Sequence, residues 1–178
     1  MKTTGCLVSM FFALATSLAA ACSGEGGAVP PPFTPADDVQ FIDGMVPHHE
    51  GAVMMADLIL QRGQRSDLRS MAEQMKSSQS QEIEQMRGAR QALTGSRDTP
   101  PMSDPHMLAD MMHMMQLSGA ALDQMFLEDM IPHHAGAITM SHRALPNLQR
   151  GDMQTLARHI IDSQAREIGE LNKMLTAP

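Results

Sequence analysis

Two short segments of the chain each place a proline before two adjacent histidines, and these residues are the best suited to chemistry. Residues 41–56 read Phe-Ile-Asp-Gly-Met-Val-Pro-His-His-Glu-Gly-Ala-Val-Met-Met-Ala, and residues 126–141 read Phe-Leu-Glu-Asp-Met-Ile-Pro-His-His-Ala-Gly-Ala-Ile-Thr-Met-Ser. Eight of the sixteen aligned pairs are identical, at an offset of 85 residues. The same offset relates Ser78-Gln79 to Ser163-Gln164 and Glu82-Ile83 to Glu167-Ile168. A constant offset over separated blocks indicates one duplicated unit.

In both copies, methionines stand at helical distances from the two histidines. One methionine lies four residues before the second histidine, and another lies seven residues after the first. Imidazole accepts Cu(I), Cu(II), Zn or Ni, whereas a thioether favours Cu(I). The pattern therefore predicts a copper site, for Cu(I) or Cu(II), ahead of other metals. The candidate ligands are Met45, His48, His49, Met55, Met130, His133, His134 and Met140.

A second candidate metal cluster lies between the two copies. It consists of Met111, Met112, His113, Met114 and Met115. The run resembles methionine-rich segments that load Cu(I). An amphipathic helix that turns some of these methionines toward a bundle explains it equally well, and both interpretations stay open.

The same spacing of glutamine and glutamate also occurs in both copies, as Gln79 with Glu82 and Gln164 with Glu167. Each pair is one helical turn apart. The pairs could hold the imidazoles in place from behind. They could also be polar groups that border the buried apolar faces of the helices, and the sequence slightly favours this second interpretation.

Most of the remaining methionines and histidines have an ordinary explanation. Methionine at helical spacing usually fills a core, and a lone histidine such as His142 or His159 is usually solvated. The doubled Pro-His-His is different, because proline and histidine are poor helix formers and two adjacent histidines make poor core residues. Their presence in both halves favours a function.

Composition excludes several classes of protein. The net charge is −7 at pH 7, Trp and Tyr are absent, and there are 19 Met and 8 His. An acidic chain without these aromatic residues argues against nucleic acid and against a polybasic membrane face. The two cysteines, Cys6 and Cys22, leave no disulfide framework and no thiolate metal site in the predicted domain.

The N-terminus reads as an export signal. Lys2 precedes an apolar run, rich in small residues, that ends at residue 21, and this pattern predicts a signal peptide over residues 1–21. We expect lipidation of Cys22, with ordinary cleavage to a soluble exported protein as the alternative. Residues 22–34 predict a flexible tether. The expected location is the cell envelope, as a lipoprotein or in the periplasm, with membrane contact only through the lipid anchor.

The rest of the chain predicts an all-α fold, because strand-like alternation is missing and helical start and stop signals recur. We expect helices from about 35 to 62, 67 to 93, 104 to 117, 120 to 145 and 151 to 175, with Thr34 and Ser66-Asp67 as N-terminal caps. Pro47 and Pro132 should each kink a helix just before its histidines. Two duplicated helical hairpins, residues 35–94 and 118–177, then form a four-helix bundle over residues 35–178, joined by a crossover at 95–117 that contains a short helix.

The two Met-x-Pro-His-His segments and the Gln-x-x-Glu-Ile pairs resemble the bacterial domain of unknown function 305. The resemblance covers roughly residues 36–175. It implies a ferritin-like four-helix bundle that is usually exported. Some members, of the copper-binding CopM type, hold copper through Met and His. By that likeness, the positions that carry over are Met45, His48, His49, Met130, His133 and His134.

Three functions follow as hypotheses. The first is an exported metal-binding protein that buffers copper or delivers it to other copper-handling proteins of the envelope. The second is a structural or partner-binding bundle without metal. The third is a ferritin-like, metal-dependent redox enzyme, which the sequence supports least, because it has neither a catalytic dyad nor the Glu-x-x-His motif of di-iron bundles. We therefore do not predict an enzyme.

Overall fold

A computed structural model describes the backbone of residues 35–176 and the side chains of residues 37–176. The predicted signal peptide, the tether, Cys22 and the Thr34 cap lie outside the described residues. Five α-helices make up the fold: α1 (Pro35–Arg62), α2 (Ser66–Thr94), α3 (Pro105–Met114), α4 (Gly119–Ala144) and α5 (Gly151–Thr176). Helix α1 has the predicted bounds, and the other helix ends fall within three residues of the predicted ones.

The four long helices form a ferritin-like four-helix bundle of two hairpins. Helix α1 packs mainly against α2, and α4 packs mainly against α5. The hairpins meet through α1 and α4, while α2 and α5 touch less extensively and the short α3 rests on α1 and α4. The two histidine-bearing helices therefore lie against each other.

Two buried aspartates, one in each hairpin, accept hydrogen bonds from the turn of the opposite hairpin. Asp123 on α4 accepts hydrogen bonds from the backbone N–H groups of Gln64 and Arg65, at 3.0 and 2.9 Å. Asp38 on α1 accepts from those of Gln149 and Arg150, at 3.1 and 3.3 Å. These contacts recur at the same 85-residue offset as the sequence pattern.

The predicted capping of α2 by Ser66-Asp67 at its N-terminus was wrong. The residue before α2 is Arg65, which has an extended backbone and no side-chain cap hydrogen bond. Asp123 of the opposite hairpin satisfies the turn before the helix instead. A tertiary contact has thus replaced the local cap, which sequence-local reasoning does not see.

The interior is divided into two hydrophobic clusters. One contains Ile59, Leu68, Met75, Phe126 and Leu127 with their neighbours. The other contains Phe41, Ile42, Met86, Met153 and Ile160 with theirs. Within the described part of the chain, no helix is both long and apolar enough to span a bilayer.

The crossover is held at both of its ends. Helix α2 stops at Gly95, which has φ of +80° and donates its N–H to Gln91. Helix α3 starts at Pro105, and the side chain of Asp104 accepts hydrogen bonds from the backbone N–H groups of the next turn. Pro and a capping Asp are the residues that favour a helix start. The crossover thus leads from a defined helix end into a short helix that packs on α1 and α4.

Candidate metal centre

A polar layer crosses the bundle between the two hydrophobic clusters. On α1 and α4 the histidine pairs separate residues of one cluster from residues of the other, and on α2 and α5 the Gln-x-x-Glu segments do the same. All but one of these eight side chains are buried. The layer consists of His48, His49, Gln79, Glu82, His133, His134, Gln164 and Glu167.

The first histidines of the two copies meet where α1 and α4 face each other. The ring centroids of His48 and His133 are 3.8 Å apart, with 43° between the ring planes. Each residue is 9% exposed. Successive helical residues are turned by about 100°, so the second histidines point elsewhere, with centroids 6.3 Å (His48–His49) and 6.2 Å (His133–His134) away.

The second histidines each contact a glutamate of their own hairpin. Nε2 of His49 lies 2.7 Å from Glu82, and Nε2 of His134 lies 2.5 Å from Glu167. A carboxylate accepts, so in the neutral form of each ring Nε2 carries the hydrogen and Nδ1 keeps the lone pair. Of the two interpretations that the sequence left open for the glutamates, the structure shows the one that positions imidazoles.

Several nitrogen atoms in this layer are buried without a hydrogen-bond partner. Among the described residues, they are Nδ1 of all four histidines, Nε2 of His133, and the amide nitrogens of Gln79 and Gln164, whose amide oxygens are unpaired as well. A buried polar atom that stays unpaired costs about 1–3 kcal/mol. The unpaired imidazole nitrogens suit a ligand that accepts their lone pairs, such as a metal ion.

Burial keeps the two meeting imidazoles neutral. It lowers the pKa of His48 to about 3, with His49 adding a smaller effect in the same direction. It also lowers the pKa of His133 well below its ordinary value, with a further contribution from His48. A neutral imidazole is the form that binds metal, so these two rings need not lose a proton first.

Two glycines of the repeated segments make room for these rings. A methyl group on Gly136 would lie 3.2 Å from Nε2 of His48, and one on Gly51 would lie 3.6 Å from Nε2 of His133. Each glycine thus borders the first histidine of the opposite copy. Larger residues at these two positions would crowd the imidazoles.

The histidine pair opens into a cleft of about 620 Å³. Its walls carry the thioethers of Met55, Met107 and Met140. The two pairings predicted at seven-residue spacing, His48 with Met55 and His133 with Met140, are therefore brought to one cleft. Acidic side chains also line it, and burial together with Asp110 raises the pKa of Asp129 to about 6.

Other predicted ligands lie elsewhere. Met45 and Met130 are completely buried, in separate hydrophobic clusters on either side of the polar layer, and their role as ligands remains a prediction. The Met111–Met115 run is not turned to one side of α3. Met114 is buried, Met111 is half-buried, and Met112, His113 and Met115 are exposed. A second metal cluster there remains a prediction.

Sequence reasoning missed Met102 and Met107 of the crossover. A methyl group on Gly51 would lie 2.7 Å from Cε of Met102 and 3.1 Å from Sδ of Met107. The crossover's high methionine content was a signal. Which of its methionines reach the histidines depends on the path of residues 95–104, which no periodicity predicts.

The donors that converge on the cleft are imidazole nitrogens and thioether sulfurs. Over residues 37–176, no group of three or more His, Cys, Asp or Glu side chains is arranged to hold a metal ion. Two neutral imidazoles beside thioethers form a donor set that suits Cu(I). The residues present therefore fit a soft metal ion.

Comparison with protein families and curated proteins gives two matches. The family model of the domain of unknown function DUF305 matches residues 38–175. An uncharacterized protein, L153, of Acanthamoeba polyphaga mimivirus is 43% identical over 53 residues, which are 30% of this chain and 35% of that protein. The match thus spans about a third of the length of this curated relative.

Solved structures match over most of the chain. CopM in its Cu(II)-bound form is 30% identical, with a TM-score of 0.70 over 78% of this chain and 95% of CopM. CopM in its Cu(I)-bound form is 31% identical, with a TM-score of 0.68 over 77% and 94%. A DUF305 fragment from Deinococcus radiodurans is 32% identical, with a TM-score of 0.70 over 82% and 98%.

Proposed function

Because the chain belongs to the DUF305 family, we propose that it is a copper-binding protein that buffers copper ions or delivers them to other copper-handling proteins. The centre of the site is the pair of imidazoles from His48 and His133, with thioethers of the cleft as further ligands. The ion is cargo, so the protein binds and releases it rather than turning over a substrate.

One observation carries the proposal. Two buried imidazoles, one from each hairpin, stand 3.8 Å apart with ring nitrogens that no protein group satisfies. Glu82 and Glu167 hold the neighbouring histidines by Nε2, which leaves Nδ1 of those rings as a further donor. The CopM structures with Cu(I) and Cu(II) support copper as the cargo.

We also propose that the protein works outside the cytoplasm. A signal peptide over residues 1–21, lipidation at Cys22 and a tether to residue 34 would place the bundle, residues 35–178, at a membrane surface. Thioether ligands suit this setting, because they bind without losing a proton. Mass spectrometry of the envelope fraction would reveal the acyl chains, and an unmodified chain that begins elsewhere would contradict the anchor.

Anaerobic titration with Cu(I) against a chromophoric competitor tests copper binding. We expect tight binding by the domain and a loss of at least about 100-fold in affinity, or about 2.7 kcal/mol, in the double variant His48→Ala/His133→Ala. The control is His142→Ala, which removes an exposed histidine outside both candidate clusters. This control should bind as the parent does.

The alternative outcomes separate the hypotheses. Equal binding by the parent and by His48→Ala/His133→Ala would move the site away from the pair, toward Met111–Met115. Absence of binding by the parent would leave the structural or partner-binding bundle as the better explanation.

A further inference from the structure

The crossover brings two methionine side chains close to one of the two meeting histidines. A methyl group placed on Gly51 would lie 2.7 Å from Cε of Met102, 3.1 Å from Sδ of Met107 and 3.6 Å from Nε2 of His133. These atoms therefore surround one small volume beside α1. Nε2 of His133 is buried there without a hydrogen-bond partner.

Among the described residues, the equivalent place in the other half has no such neighbours. A methyl group on Gly136 would meet Nε2 of His48 at 3.2 Å and no other non-helix atom within 4 Å. The crossover lies between the two copies of the repeat and is part of neither. The two halves thus supply equivalent histidines but only one set of crossover thioethers.

The crossover also covers the histidine pair from outside. Met107 lines the large cleft, and both Met102 and Met107 line a neighbouring pocket of about 220 Å³ that reaches His48. Asp104, between the two methionines, caps α3 through the N–H groups of His106 and Met107, at 2.9 and 3.3 Å. The backbone is thus held, while the long unbranched side chains can move.

We propose that residues 102–107 form a lid whose thioethers, from Met102 and Met107, complete one asymmetric Cu(I) site with His48 and His133. This inference rests on the proposed function and adds how many copper ions bind per chain and how the ion leaves the site. One ion binds per chain, because the crossover occurs once. The ion leaves when the methionine side chains swing outward, without the bundle opening.

The repeated methionines of the cleft offer the competing arrangement. Met55 and Met140 occupy equivalent places in the two copies and line the same cleft. If they were the thioether ligands, the two halves would be equivalent and the crossover would only cover them. Substitution in the crossover then separates the two arrangements.

Paired leucine substitutions test the lid. Leucine keeps roughly the volume of methionine and removes the sulfur. We expect Met102→Leu/Met107→Leu to bind Cu(I) at least about ten-fold more weakly, which corresponds to about 1.4 kcal/mol. The matched control is Met54→Leu/Met174→Leu, two methionines that line neither the cleft nor the neighbouring pocket. It should bind within about two-fold of the parent.

X-ray absorption at the copper edge gives a second measurement, which does not depend on affinity. The parent should show nitrogen and sulfur neighbours at one copper per chain, and Met102→Leu/Met107→Leu should lose the sulfur. Gly51→Ala, whose methyl group displaces the ends of both methionines, should show the same loss. Gly88→Ala, where a methyl group meets nothing within 4 Å, is its control.

The outcomes distinguish failure of the lid proposal from failure of the proposed copper binding. Parent-like affinity and an unchanged sulfur signal in Met102→Leu/Met107→Leu would overturn the lid and leave copper binding in place. Two equivalent copper ions per parent chain would overturn it as well. Failure of the parent itself to bind Cu(I) would overturn the proposed function, and the lid with it.

Discussion

At the scale of single residues, the main feature is that the imidazoles of His48 and His133 are buried in the neutral form. The pKa of His48 is lowered from 6.5 to about 3, chiefly by burial, and that of His133 falls in the same direction. Between these values the unfolded chain binds more protons than the folded one. The metal-free protein should therefore lose stability as the pH falls from 6.5, by about 1.4 kcal/mol per pH unit and histidine.

Asp129 works in the opposite direction. Burial, Asp110 and Glu128 raise its pKa from 3.8 to about 6, so its folded form takes up a proton first and its contribution is lost as the pH rises through 6. Urea unfolding of the metal-free protein at pH 4 to 7 measures the sum. We expect Asp129→Asn to steepen the loss toward pH 4 and His48→Leu/His133→Leu to flatten it. An unchanged slope in the leucine variant would contradict the assignment to these rings.

That the two histidines of each pair have different partners was predictable from the sequence. Adjacent positions on a helix cannot share one face, so the two histidines of a pair had to have different partners. Which one turned toward the other hairpin was not predictable, because it depends on how α1 and α4 are rotated against each other. The glutamate contacts of His49 and His134 required the same knowledge of packing.

At the scale of helices, the turn that joins α1 to α2 depends on a residue of another hairpin. Both carboxylate oxygens of Asp123 accept from the backbone there, with N–O distances of 2.9 to 3.1 Å. In Asp123→Ala, the N–H groups of Gln64 and Arg65 lose these acceptors. We expect the free energy of unfolding to fall by about 1–3 kcal/mol, measured by urea denaturation.

Two comparisons make that prediction specific. Asp123→Asn keeps one acceptor oxygen and should lose less than Asp123→Ala. Asp57→Ala removes an aspartate of α1 that pairs with Lys76 near the surface and should cost at most about 1 kcal/mol. Equal losses at positions 123 and 57 would show that the interhairpin bond does not stabilise the turn.

Helix positions were predictable because their signals are local. Pro35, Gly95, the Asp104-Pro105 pair and Gly151 mark starts and stops that the structure keeps to within a few residues. The cap of α2 was not predictable, since its acceptor is 58 residues away. Both α1 and α4 run through their prolines as continuous helices, and the kinks remain a prediction.

At the scale of the whole molecule, the duplication predicts two hairpins but not how they share a site. The pairing of α1 with α4 places one histidine of each copy beside the other, and the crossover then breaks the equivalence of the halves. The asymmetry arises outside the repeat, so a comparison of the two copies gives no sign of it. The sequence alone therefore leaves open whether the two halves share one site or hold two equivalent ones.

A metal ion held by both His48 and His133 would join the two hairpins, and this would have a thermodynamic consequence. Ligand that binds only the folded state at 100 times its Kd adds about 2.7 kcal/mol of stability. For a chain of this size, that corresponds to a rise in Tm of about 5–10 °C. We expect anaerobic Cu(I) to produce this rise in the parent and in the control His142→Ala, monitored by circular dichroism. The quantity to compare is the Tm with metal minus the Tm without it, since His48→Ala/His133→Ala also changes the packing. That difference should fall close to zero in the alanine variant, because each half keeps only its own donors and no longer binds the other through the ion.

An undiminished rise in Tm in the alanine variant would mean that copper stabilises the bundle from a site within one hairpin or the crossover, and that the histidine pair does not join the halves.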